Sequence, residues 1–130
     1  MNKELNRELM GYAEECLQED NCPLYKNKRE GIINESHNGQ VSALGVSALM
    51  IGLKATLAVY YQDENRKRLL EEIVKMLNKK NKDKETFDDA EDFVRKVMGG
   101  KCKMSEEELK TNIVDCSVAL KQVIRTYKLG

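Results

Sequence analysis

Apolar side chains at Leu5, Leu9, Tyr12, Cys16 and Leu17 return at helical spacing among charged neighbours, which predicts a first helix with one buried stripe, ending near Asp20. Asn21, Cys22 and the single proline, Pro23, mark a corner, because the residue before a proline is pushed out of helical geometry. A weaker helix is expected from Leu24 to about Ser36, with Tyr25, Ile32 and Ile33 inward and Gly31 against it. His37, Asn38 and Gly39 read as a turn. From Gln40 to about Tyr61 apolar and small residues occupy every side, the pattern of a buried central helix, with Gly45, Ala48, Gly52 and Ala55 as a line of small side chains.

Farther on, Leu69, Leu70, Ile73, Val74 and Leu77 form one face of an amphipathic helix over 64–78, and the lysine-rich stretch Lys79 to Glu85 has nothing apolar to bury and reads as an exposed loop. Thr86 stands three residues before Asp89, resembling a capping box, ahead of a short helix carrying Phe87, Ala90, Phe93, Val94 and Val97 that stops at Gly99-Gly100. The last helix opens on Ser105 and Glu108, a capping box, and runs through Leu109, Ile113, Cys116, Leu120, Val123 and Tyr127. No segment alternates with the period of a strand. The expected fold is therefore all-α: one domain spanning 1–130, a compact bundle of five or six helices around a buried central helix.

Composition narrows the function more than it names it. The 22 basic and 22 acidic side chains cancel, so global attraction to nucleic acid or membrane is not implied and only local basic faces remain open. The stretch from Val41 to Tyr61 is interrupted by Ser42, Ser47, Lys54 and Thr56, which favours a buried helix over a membrane span. Cys16, Cys22, Cys102 and Cys116 form no CxxC pair and, after a charged start without a secretory run, are expected as free, mostly buried thiols in a reducing cytoplasm.

Chemistry-bearing constellations are sparse. His37, the one histidine, has no spacing to a cysteine that would suit zinc and is a thin basis for nucleophilic catalysis; a polar turn residue is the plainer reading. Asp88 and Asp92, one helical turn apart, match metal-ligand spacing, yet acids in a first turn are favoured by the amide dipoles alone. A small metal-dependent hydrolase at that pair is the third-ranked reading. No P-loop, G-x-G-x-x-G, H-E-x-x-H or zinc-deaminase pattern occurs, so no catalytic residue, metal or cofactor is expected. Basic residues gather at Lys26, Lys28 and Arg29; at Arg66, Lys67 and Arg68; at Lys79, Lys80, Lys82 and Lys84; and at Lys121, Arg125 and Lys128. On the final helix the last three stand four and three residues apart and so share one side, and such a side can neutralise phosphates or can be an ordinary solvated face.

The string NGQVSALGVSALMIGLK resembles a signature of the small helical subunit of type III-B (Cmr-type) CRISPR effector complexes, in which a tyrosine-containing segment precedes an Asn-Gly turn and a helix with an ALAF-like start. Tyr25, Asn38, Gly39, Ala43 and Leu44 stand in that order, and ALKQVIRTYKL is similar to the family's closing segment. Gln40 replaces an apolar residue, and the proline before the turn, a tryptophan and a Lys-Arg pair in the tail are missing. The resemblance implies a non-catalytic, cytoplasmic subunit of a ribonucleoprotein in antiviral defence. It would stack with copies of itself and with the large subunit beside the backbone subunits, and touch guide RNA and target RNA through Lys121, Arg125, Lys128, Lys26 and Arg29. The alternative is a helical adaptor that binds only proteins.

Overall fold

The computed structural model describes all of residues 1–130, and its order is α1 (Lys3–Gln18), β1 (Tyr25–Asn27), β2 (Ile32–Ile33), α2 (Ser36–Ile51), α3 (Leu53–Gln62), α4 (Glu64–Lys80), α5 (Ala90–Met98), α6 (Glu106–Ile124) and β3 (Lys128–Leu129). A helical bundle is the architecture. No helix is long and apolar enough to cross a membrane.

Where hydrophobic periodicity and capping chemistry agree, the helices form as the sequence predicts. Asn2 caps α1 by accepting from the Leu5 amide, and Leu9, Ala13, Cys16 and Leu17 are buried below it. Leu69, Leu70, Ile73, Val74 and Leu77 of α4 are all buried, as are Phe87, Ala90, Phe93, Val94 and Val97 on and just before α5. The α5 cap is Asp89, whose carboxylate accepts from the Asp92 amide at 2.8 Å, and not Thr86, which lies outside the helix. Ser105 caps α6 by accepting from the Glu108 amide. The segment after α4 is less free than its lysines imply: Asn81 is buried, Asn78 bonds both the amide and the carbonyl of Phe87, and the Glu85 carboxylate accepts from the amides of Lys103 and Met104.

Four expectations are corrected. The helix expected over 24–36 does not form, and residues 24–35 are non-helical: β1 and β2 pair antiparallel around a turn in which the Asn27 side chain accepts from the Glu30 amide and Gly31 takes φ +69°. β3 adds in parallel on the far side of β2, giving the order β1-β2-β3, a small sheet in a chain without strand-length alternation. Each strand is only two or three residues long, too short to show a period.

Asn38-Gly39 lies inside the first turn of α2, not in a turn before it, because Asn34 supplies the stop signal earlier: its side chain accepts from the Ser36 amide and hydroxyl. The helix expected over 40–61 is broken at Gly52, where φ +89° and ψ 165° are accessible essentially to glycine alone. α3 folds back along α2, held by the Tyr60 hydroxyl donating to the Gln40 carbonyl at 2.6 Å and by Ser47 and Thr56 hydroxyls 2.8 Å apart.

The central helix is α6 and not the segment over 40–61. α6 packs against α1, α2 and α4 and buries a broad face, with Asn112, Ser117 and Ala119 flanking its apolar seam. α2 buries one stripe, His37, Val41, Leu44, Gly45 and Ala48, and leaves Val46, Leu49, Met50 and Ile51 more than half exposed.

One buried charge interrupts the core. Glu72 has no solvent exposure; its Oε2 lies 3.1 Å from Lys75 Nζ, yet neither carboxylate oxygen receives a well-aligned donor. Burial raises its pKa, with Lys75 opposing. Lys75 also reaches Glu19 at 3.1 Å; burial disfavours its charge, but the two carboxylates outweigh this and hold the ammonium above its ordinary pKa.

Two predictions follow from these positions. Gly52→Ala must force a side chain into the glycine-only region and should cost about 1–3 kcal/mol in urea unfolding, with the helix content by circular dichroism unchanged. Because the folded-state pKa of Glu72 is raised, the native state holds its proton more tightly than the unfolded chain. Its contribution favours folding at low pH and is lost as pH rises above the ordinary carboxylate range. The stability of the wild type relative to Glu72→Gln should therefore fall as pH rises above 4.5, by about 1.4 kcal/mol for each unit of displacement; a pH-independent difference would contradict this.

Candidate nucleic-acid interface

β2 is the middle strand of the sheet, and its register sets which side chains face out. Tyr25, Ile33 and Leu129 share one row, and since Ile33 is fully buried that row faces the core. Asn27, Ile32 and Lys128 share the other row, on the outward face. Lys26, in the irregular step of β1, is exposed, and its stem reaches to within about 4.0 Å of where a side chain on Gly130 would begin. Arg29 is exposed in the turn between β1 and β2, and Arg125 is exposed at the C-cap of α6, three residues before β3. The sheet thus draws Lys26, Arg29, Arg125 and Lys128 to one end of the molecule from segments a hundred residues apart. Outer strands of a three-stranded sheet lie only about 10 Å apart.

Eight ion pairs engage seven of the 22 lysines and arginines, and none of these four is among them. Glu30 and Glu35 stand at the same end, exposed and unpaired with any of the four. Several members of the other basic groups are occupied. Lys28 donates to the carbonyls of Leu17 and Glu19 at the C-terminal end of α1 and lies over the Tyr25 ring, so it is a helix cap. Arg66 pairs with Asp63 and Lys67 covers the Tyr61 ring. Lys79 and Lys84 pair with Glu15 and Glu108.

The shared helical side expected for Lys121, Arg125 and Lys128 does not form. α6 ends at Ile124 and Lys128 belongs to β3, because the edge of β2 offers the last residues backbone partners that a longer helix would forgo. Lys121, still on α6, is half-buried beside α2 and lines a groove between the two helices.

What holds β3 in place is partly side-chain chemistry. The Tyr127 hydroxyl donates to the Glu14 carboxylate, 2.8 Å from Oε2, and accepts from Gln18 Nε2 at 2.9 Å, tying the strand to α1. Burial, followed by the Glu14 bond, raises its pKa and keeps the phenol protonated. Backbone bonds complete the junction: Gly130 donates to the Ile33 carbonyl and Glu35 donates to that of Gly130, each at 3.0 Å. The Tyr25 and Tyr127 rings meet edge to face at 6.2 Å.

The remaining chemical candidates are engaged structurally. His37 is buried in α2 with Nδ1 2.9 Å from Gln40 Oε1; burial lowers its pKa and disfavours the charged ring, so it is no exposed turn residue. Asp92 accepts from the Asp88 amide at 3.0 Å and pairs with Lys96, and these contacts lower its pKa. No group of three or more histidine, cysteine or acidic side chains is arranged to hold a metal ion. The thiols of Cys16, Cys22 and Cys116 are buried and pushed up to about 12 by that burial, the opposite of what a nucleophilic cysteine requires.

Set against protein-family models, curated proteins and solved structures, the chain matches none.

The geometry of the strand junction makes its own prediction. Tyr127→Phe removes a hydrogen bond to a carboxylate and should cost about 1.5 kcal/mol. Amide exchange at Gly130 and Glu35 should speed up more than exchange in α5, which packs against α3 and α4.

Proposed function

We propose that this chain is a non-catalytic small subunit of an RNA-guided effector complex of type III-B, cytoplasmic and acting in antiviral defence. Its basic sheet end holds the phosphate backbone of guide RNA and target RNA. The observation that carries the reading is the convergence of Lys26, Arg29, Arg125 and Lys128, all exposed and none in an ion pair, on one end of a molecule whose total charge is zero.

Exposed cations gathered at one end without acid partners are available for phosphate, and binding then gains from release of the counterions around the nucleic acid. No base-reading groove is needed, since pairing between guide and target carries the sequence information and the protein has only to hold backbone and shape. The identity of the assembly rests on the resemblance of NGQVSALGVSALMIGLK and ALKQVIRTYKL to the small helical subunit. That resemblance also names the partners: the large subunit, the backbone subunit and copies of this chain.

A second reading, a helical adaptor that binds only proteins, draws on the exposure of Val46, Leu49, Met50 and Ile51, which exceeds what isolated surface apolar residues require.

Charge reversal separates the two. Arg125→Glu combined with Lys128→Glu should weaken binding to a guide–target RNA duplex by about tenfold or more at low salt, and should lower the slope of log affinity against log salt by about 1 to 2. Lys82→Glu, in the segment after α4, should leave both nearly unchanged. Salt-independent binding, or an affinity that ignores the double reversal while the fold is intact, would favour the adaptor.

A further inference from the structure

Beside the basic end, α2 and α6 enclose a groove of about 220 Å³. Val46 and Leu49 form one wall and Val114 and Val118 the other. Its floor is set by close helix approach: a side chain on Gly45 would begin 3.6 Å from Ser117 Cβ. Val46, Leu49 and Val118 are 56, 63 and 42% exposed, large values for side chains of this kind beside a well-packed core. The volume falls below the roughly 300–1,000 Å³ usual for small-molecule sites, and it suits one or two inserted apolar side chains.

The charges in and around this groove say what fits it. α2 carries no Asp, Glu, Lys or Arg from Ser36 to Ile51 and its one histidine, His37, is buried, so the apolar wall has no charge of its own. Lys121 is the one charged residue in the lining, and it forms no ion pair. The α2 of a second copy has no carboxylate of its own to offer Lys121. A helix from another protein, with apolar side chains at i, i+3 or i+4 and i+7 and one acidic residue at the end that meets Lys121, would satisfy both the wall and the charge.

We infer that the α2–α6 groove is a docking site for an amphipathic, acid-bearing helix of a different protein chain, with Lys121 as its charge-reading residue. This moves Lys121 from the RNA-facing set to a protein-facing one. It gives the chemistry of a protein neighbour for the subunit reading, and it holds whether or not the basic sheet end meets RNA.

The test uses the full chain and fluorescein-labelled helical peptides of about 18 residues, with leucines at i, i+4, i+7 and i+11 and a single glutamate at either end. One of the two should bind, and Lys121→Glu should weaken it by about tenfold or more. Exchanging the peptide glutamate for lysine should restore affinity to the Lys121→Glu protein and lose it for the wild type. Leu49→Ser with Val118→Ser, both at exposed positions, should abolish peptide binding and leave duplex RNA affinity unchanged. That result separates failure of this inference from failure of the RNA reading. The inference is overturned if neither peptide binds, if the charge exchange has no effect, or if sedimentation shows the wild type to be a dimer that Leu49→Ser with Val118→Ser dissociates, which would make a second copy the occupant.

Discussion

Burial of the apolar seam of α6 is the constraint from which the other placements follow. Leu109, Ile113, Cys116, Leu120 and Val123 lie along one side of that helix, and α1, α2 and α4 each turn an apolar stripe toward it. Removing side chains of this size from water is worth roughly 1.5–3 kcal/mol each, more than the few tenths that surface pairs supply, so the seam decides the arrangement and the ion pairs decorate it. Because α6 is pinned along its length, its end is delivered to a defined place. There the chain leaves helical geometry and completes the sheet with β2.

That junction links fold to function. β2 is only two residues long, but Ile33 is fully buried, and with β1 on one side and β3 on the other its backbone groups find partners on both edges. The tyrosine that follows α6 is bound to Glu14 and Gln18 of α1, so the strand carrying Lys128 is tied to two elements. Exposed lysines on a free tail would lose much of their effect to chain entropy. On a fixed strand beside Lys26 and Arg29 they present a charge pattern of lasting shape.

The two surfaces on this end differ in chemistry and meet at α6. Arg125 faces outward at the helix cap, whereas Lys121, one turn earlier, is drawn half under cover beside α2. One helix face therefore passes from cationic to apolar within a turn. The break at Gly52 has a matching consequence on the other side of the groove: by ending α2 there it leaves Leu49, Met50 and Ile51 at the tip of a helix where an unbroken α2 would have carried on.

Sequence alone determined the parts governed by local physics. The seam of α6 with its Ser105 cap, the buried faces of α4 and α5, the stripe of α1 and the free buried cysteines all follow from spacing and capping, since a period of 3.6 and a side-chain oxygen at the N-cap act over a few residues. It also picked out Lys26, Arg29, Arg125 and Lys128 individually. What it could not carry is whatever depends on contacts between distant segments. The strands are too short to show a period, and the pairing of Lys128 with Ile32 exists only once α6 has brought position 128 alongside. The absence of charge over α2 is as consistent with complete burial as with an exposed apolar face, and only the packing of neighbours against one side of that helix made it the second. Tertiary structure thus decided both the grouping of the cations and the opening of the groove, because each arises from which surfaces the core leaves uncovered.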